Sequence, residues 1–188
     1  MRLKDKNPAL LIIDVQRAFE DEAYWGGNRN NPSAEKLCGD ILQKWREHDL
    51  PIFHVRHSSL TPDSRLHSTH TGFAFNENVI PKSHETVITK QVNSAFIGTD
   101  LKQQLDAKDI SALVIVGLTT NHCVSTTTRM AGNYGYETYL ISDATATFDR
   151  VGVNGEKFNA ELMHQTALAS LDEEFATVLT TKALFEQL

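Results

Sequence analysis

Ala9-Leu10-Leu11-Ile12-Ile13-Asp14-Val15 is an apolar run broken only by one carboxylate. It is of strand length and does not alternate, as expected of a strand covered on both faces. Ala112–Val116 is a second run of the same kind, closing at Gly117, and is expected at the centre of the sheet. Outward from these two, strand-length apolar runs alternate with helical patterns. That rhythm calls for βαβ units and a parallel sheet.

After the first run comes a polar loop rich in Gly and Asn, Gly26–Asn31. Asn31-Pro32 offers a helix cap and a first-turn proline, with Glu35 near the positive helix end. Leu37, Ile41 and Trp45 recur every fourth residue, so one face of that helix is buried, and Asp49-Leu50-Pro51 stops it. Ile52–Arg56 reads as the second strand and Thr86–Lys90 as the third. Between them His57–Ser83 is polar, punctuated by Pro62, Gly72 and Pro81, and long enough to be a functional loop. Thr99 can cap a helix carrying Leu101 and Leu105. A further helix is expected from about Asn121 to Tyr134, ended by Gly135. Tyr136–Ser142 and Phe175–Leu179 complete the strands, with an amphipathic helix at Ala160–Leu171 and a short one at the tail. The expectation is an α/β fold: a doubly wound, six-stranded, mainly parallel sheet with helices on both faces, one domain over residues 1–188.

Composition removes several functions. Net charge is −6 and the 18 basic residues are scattered, which argues against a nucleic-acid groove or an anionic membrane surface. No apolar run approaches the roughly 20 residues of a bilayer span. The start, Met1–Val15, reads as a first strand and not as a signal peptide. Cys38 and Cys123 form neither a disulfide framework nor a C-x-x-C pair and suit a reducing compartment, so the cytoplasm is expected.

In open parallel sheets ligands bind beyond the carboxyl ends of the strands. Asp14, Lys90 and Cys123 all fall there. Burying a lone charge is prohibitive, so Asp14 and Lys90 could neutralise each other beside Cys123. Singly, each has an ordinary explanation: a turn cap, a surface lysine, a cysteine serving as a small buried hydrophobe. Together they supply a base, a cation and a nucleophile. A helix N-terminus favours a Cys123 thiolate by only about 0.3–1 kcal/mol, less than the roughly 1.4 kcal/mol of one pKa unit. Asp14 and Lys90 would have to supply the rest. Iodoacetamide is then expected to modify Cys123 well before Cys38.

The segments LLIIDVQRAF, VITKQVNSAFIGTDL, VGLTTNHCV and SDATATFD, with His164 on a late helix, resemble the isochorismatase-like cysteine hydrolases, which include nicotinamidases and related amidases. The resemblance covers nearly the whole chain and implies a Rossmann-like three-layer sandwich. It implies Asp14 as general base, Lys90 as its cationic partner and Cys123 as nucleophile. It also implies a cis peptide at Leu118-Thr119 and an oxyanion hole from the backbone N–H groups of Thr119 and Cys123. The reaction implied is cleavage of a C–N bond, amide, ureido or lactam, in a small molecule through a thioester that water resolves. No cofactor is implied, and relatives are commonly homo-oligomers; the surface between the Asn133–Tyr136 turn and the 145–159 loop could serve such contacts.

Two features depart from the nicotinamidases of that family. The second strand ends His54-Val55-Arg56-His57, without their Asp-x-His metal segment. His57, His67 and His70 could still gather round a metal, giving a metal-assisted amidase, but scattered loop histidines are more often solvated and no metal is expected. Arg56 could grip a substrate carboxylate or carbonyl, or make a surface ion pair. Phe19, Trp25, Phe96 and His122 are expected to line the substrate pocket. A thiol redox protein and a non-catalytic ligand-binding member of the fold are the rival readings.

Overall fold

A computed structural model describes residues 3–188. Its elements follow the alternation seen in the chain: β1 (Ala9–Ile13), α1 (Glu22–Trp25), α2 (Ala34–Glu47), β2 (Ile52–His57), β3 (Thr86–Lys90), α3 (Leu101–Asp106) and β4 (Ala112–Leu118). A π-helical turn (Thr120–Val124) leads into α4 (Ser125–Asn133). Then come β5 (Glu137–Ala146), β6 (Arg150–Val151), β7 (Lys157–Phe158), α5 (Ala160–Ala169), β8 (Thr177–Leu179) and α6 (Thr181–Phe185). The main sheet has six strands in the order β3-β2-β1-β4-β5-β8, and every pairing in it is parallel. The α/β architecture with a six-stranded parallel sheet is the one expected.

Alternate residues of each central strand serve opposite layers. Leu11 and Ile13 of β1, with Leu113 and Ile115 of β4, pack against Leu101 and Leu105 of α3 and Val124 and Ala131 at α4. Leu10 and Ile12, with Val114 and Val116, meet Cys38, Ile41, Leu42 and Trp45 of α2 and Leu184 of α6. Burying each large aliphatic side chain contributes roughly 1.5–3 kcal/mol, so double coverage explains why neither strand has a polar face. Strand order reverses at β1/β4, the position where such sheets open a crevice at their carboxyl ends. Asp14 leaves β1 there, and Cys123 follows β4.

Several boundaries differ from expectation. Asn31-Pro32 does not cap α2, which begins at Ala34 after Ser33. Asn31 lies at φ 44° and its side-chain amide donates to the Ser142 and Thr145 carbonyls, at 2.9 and 2.7 Å. The long-range bonds to β5 outcompete a local cap. Gly117 does not end β4, which continues to Leu118. Its φ of 120° and the 2.0 Å that a Cβ would leave to the Ile13 carbonyl oxygen show why glycine sits there. The register shifts between Ile115, paired with Leu140, and Gly117, paired with Thr145, so that β5 bulges and stays paired with β4 out to Leu118 and Ala146. The helix expected from Asn121 starts instead as the π turn, and the β6–β7 hairpin carries no apolar alternation that would announce it. No helix among the described residues is long and apolar enough to cross a membrane.

Candidate active site

Asp14 follows β1 directly, at φ 50° and fully buried, with its backbone N–H donating to the Val55 carbonyl at 2.8 Å. Lys90, the last residue of β3, is buried beside it. The Lys90 ammonium donates to Asp14 Oδ2 at 2.6 Å and to His57 Nδ1 at 3.1 Å. Because a lysine ammonium only donates, His57 presents its Nδ1 lone pair and carries its proton on Nε2. Burial and then the Lys90 charge lower the His57 pKa, which keeps the ring neutral. His57 ends β2 directly opposite Lys90 in the sheet register.

Asp14 Oδ1, the other carboxylate oxygen, is buried and has no hydrogen-bond partner among the described residues. Cys123 enters from the π turn, partly exposed. A carboxylate oxygen of Asp14, a ring nitrogen of His57 and the Cys123 sulfur lie within 4.8 Å of one another. The structure therefore brings Asp14, Lys90 and Cys123 together from three strand ends. The thiol also points to Asn93 Oδ1 at 3.8 Å.

The electrostatics correct one expectation. Burial, and next the Asp14 charge, push the Cys123 thiol up to about 12, and Lys90 only partly opposes them. Burial dominates and Lys90 is already committed to Asp14, so the environment favours the neutral thiol over the thiolate. The helix-terminus contribution is too small to reverse this.

Thr119 is buried, and the peptide bond before it, Leu118-Thr119, is cis. His122 Nδ1 lies 3.0 Å from Thr119 Oγ1 and 3.4 Å from an Arg150 Nη2. On the inner side, Thr120 Oγ1 is 2.9 Å from Nδ1 of His164, which is buried on α5 and whose Nε2 lies 3.4 Å from the Asn31 amide. The turn carrying Cys123 is thus tied to α5 and to the end of β5.

Phe19 and Trp25 pack at 4.7 Å between ring centroids, with Phe148, Leu66 and Leu118 in the same apolar cluster. They form a wall beside the Leu118-Thr119 turn, and Trp25 Nε1 donates to the Ala18 carbonyl at 2.7 Å. Phe96 belongs to the core that Cys123 packs against, and stacks on Tyr136. Arg56 is not brought to the cluster. Val55 and His57 face one side of β2, whereas Arg56 lies over Phe73 at 4.5 Å and donates to Thr89 Oγ1 at 3.0 Å, on the side that carries His54. Strand alternation decides this, and counting from Lys90 and its neighbour His57 would have shown it.

Sequence reasoning weighed His57 only as a metal ligand and passed over Asn93 and Arg150. The signal for His57 was its place one residue past Arg56, on the face of the inward Val55. Asp14, His57 and Cys123 are the one trio among the described residues spaced to hold a metal. The Lys90 ammonium, bonded to two of the three, puts a cation where the ion would sit, so these residues do not fit one. His67 and His70 lie in the exposed loop with local partners, Thr69 and the Pro62 carbonyl.

A buried carboxylate–ammonium pair beside a cysteine, at the crevice of a parallel sheet, has the parts of a nucleophilic hydrolase site. The model of the isochorismatase domain matches residues 8–183, and the chain belongs to the isochorismatase family of hydrolases. It is 48% identical over 180 residues to the isochorismatase family protein YrdC of Bacillus subtilis, covering 96% of this chain and 95% of that one. A solved isochorismatase-family structure from Chromobacterium violaceum superposes with a TM-score of 0.94 at 41% identity, over 100% of this chain and 96% of the other. Nicotinamidase 3 of Arabidopsis thaliana is 26% identical over 194 residues, covering 93% and 87% of the two chains.

Proposed function

We propose that this protein hydrolyses a C–N bond of a small amide-like molecule by covalent catalysis at Cys123. The observation that carries the reading is the division of labour on Asp14: Oδ2 holds Lys90 at 2.6 Å, while buried Oδ1 has no partner among the described residues. A carboxylate oxygen kept free beside a neutral thiol is a proton acceptor in waiting.

In the first half-reaction the Cys123 sulfur attacks the carbonyl carbon as its proton passes to Asp14 Oδ1. A tetrahedral oxyanion forms, held by the backbone N–H groups of Thr119 and Cys123. Asp14 returns the proton to the leaving nitrogen, the C–N bond breaks, and an acyl thioester remains on Cys123. Water then attacks the thioester, giving its proton to Asp14. Collapse releases the acid and restores the thiol, which recovers that proton. Lys90 balances Asp14 throughout, and His57 holds the ammonium in place. The aromatic wall of Phe19 and Trp25 gives the substrate an apolar surface.

Residues 1–188 form one catalytic domain in this reading, and two unpaired cysteines suit the cytoplasm. Val151 and Leu162, exposed by 71% and 46% and lining one hollow with Phe158, offer an apolar surface for pairing of subunits into a homo-oligomer.

The test is ammonia or acid release from a panel of primary amides, ureido compounds and lactams, with wild type and Cys123→Ala. Turnover is expected only in the wild type, with an acyl adduct on Cys123 trapped by rapid acid quench and seen by mass spectrometry. Equal turnover by a folded Cys123→Ala would sink the reading.

A further inference from the structure

Asn93 stands beside the Cys123 sulfur, three residues past the end of β3, and is exposed. Other asparagines of this chain spend their side-chain amides on its own structure: Asn31 on the Ser142 and Thr145 carbonyls, Asn76 and Asn159 on local caps, Asn30 on the Thr147 N–H. The Asn93 amide makes one bond among the described residues, accepting the Cys123 S–H on Oδ1 at 3.8 Å. A thiol is a weak donor, so this bond is readily exchanged for a stronger one.

The residues that follow hold it in place. Ser94, Ala95 and Phe96 are buried; the Ala95 N–H donates to Thr127 Oγ1 at 3.1 Å and Ser94 Oγ donates to Met130 Sδ at 2.7 Å. Thr127 and Met130 belong to α4, which continues directly from the turn carrying Cys123. Acceptor and nucleophile are thus mounted on one element. When the Cys123 proton passes to Asp14 Oδ1, the sulfur has no hydrogen left to give. Asn93 Oδ1 then loses its donor, next to the carbon under attack.

We infer that Asn93 reads the scissile amide: its Oδ1 accepts an N–H of the leaving nitrogen once the sulfur has bonded the carbonyl carbon. This rests on the hydrolase reading of Cys123 and narrows it to substrates whose leaving nitrogen carries hydrogen, a primary carboxamide or a terminal ureido group above all. The proton from Asp14 arrives on the nitrogen lone pair, so a primary amide keeps both N–H bonds while C–N breaks, and ammonia departs. Holding one N–H fixes the direction of that lone pair. An ester presents oxygen there and no donor, which leaves Oδ1 to water. Because Asn93 is exposed and water competes for it, the preference is that of one ordinary hydrogen bond, roughly tenfold.

Two measurements test it. The first compares kcat/KM on primary amides and on the methyl esters of the same acids, in wild type and Asn93→Leu, each checked for fold by circular dichroism. Asn93→Leu should lose roughly tenfold on the amides and less than about threefold on the esters. Equal losses on both, as from a merely structural change, or no loss on the amides would overturn the inference. The second needs no turnover: the rate of Cys123 alkylation by iodoacetamide divided by the rate with methyl iodoacetate, against glutathione as reference. One reagent carries an amide next to the reacting carbon and the other an ester, and the ratio cancels the acidity of the sulfur. Wild type should exceed the glutathione ratio severalfold, and Asn93→Leu should return to it. A wild-type ratio equal to that of glutathione, or one that the substitution leaves unchanged, would overturn the role of Asn93. If no amide turns over, the hydrolase reading falls, and the alkylation ratio still decides whether Asn93 binds an amide.

Discussion

In the proposed mechanism one proton passes from the Cys123 sulfur to Asp14, so the acidity of the buried thiol sets the pH response. A free thiol ionises near a pKa of ~8.5, whereas here burial and the Asp14 charge hold Cys123 at about 12. The pH profile of kcat/KM is therefore expected to lack an ascending limb between pH ~8 and ~9. Such a limb, if measured, would mean that a thiolate reacts without Asp14. Alkylation obeys the same logic. Cys123 is partly accessible and Cys38 is buried, so Cys123 reacts first, yet more slowly than a free thiol at the same pH. Timed mass spectrometry with iodoacetamide and a glutathione reference checks both rankings. Asp14→Asn keeps the shape of the Lys90 contact but removes the proton acceptor. A loss of kcat of roughly 10³-fold or more is expected in the folded fraction, together with a stability loss of roughly 3–5 kcal/mol because Lys90 is left buried without its counter-charge; a loss of kcat under about tenfold would reassign the base. Asp14 and Lys90 were legible because each stands at the end of a strand, where a charge is conspicuous, and Cys123 because it follows shortly after the apolar run of β4. Arg150 was not legible, since an arginine in a polar loop looks solvated until the space around it is known.

Elements carry these residues to each other, and β4 with its following turn is the decisive one. Gly117 lets β4 pass so close to β1 that an added Cβ would stand 2.0 Å from the Ile13 carbonyl oxygen. Ile13 precedes Asp14, so the closest approach of two strands sits next to the base. Gly117→Ala is expected to cost roughly 3 kcal/mol or more, because both the positive φ and the backbone contact resist it. Urea denaturation measures the loss, and a change below about 1 kcal/mol would show that β1 and β4 can move apart freely. His164 works at the same scale, binding the turn that carries Cys123 to α5 through Thr120. The glycine after an apolar run was visible in the chain as a strand end, and that reading was mistaken. A glycine marks a backbone need, and only the partner strand tells whether that need is a turn or a close approach.

Across the whole molecule, α2, β2 and the turn before β3 are joined by one buried charge cluster away from the catalytic residues. Glu85 accepts from Arg46 at 2.7 and 2.8 Å, from the Lys82 N–H at 2.8 Å and from His54 at 2.9 Å. Burial pushes its pKa up, but the Arg46, Lys82 and His54 bonds outweigh burial and hold it at about 2. A carboxylate depressed on folding stabilises fully above its unfolded value near pH ~4.5 and loses that contribution as pH falls toward 2. Burial also lowers the His54 pKa, so protonation of His54 below pH ~6.5 destabilises in the same direction. Glu85→Gln is expected to lower stability at neutral pH by up to about 3 kcal/mol, with the gap to wild type closing between pH ~4.5 and ~2. Chemical denaturation across that range tests it, and a gap independent of pH would remove Glu85 from the acid response.

Layering was legible throughout, because unbroken apolar strands require cover on both faces and the alternation with helices requires parallel pairing. The chain by itself thus determined the sheet, its six strands and the strand ends at which chemistry could gather. What the tertiary structure alone decided is orientation and occupancy: that Arg56 turns to the far face while His57 turns in, that Asn31 bonds β5 instead of capping α2, and that the Arg150 Nε is buried without a partner among the described residues. These depend on distances between residues remote in the chain, set by packing of whole elements. A local pattern of residue types carries no information about them.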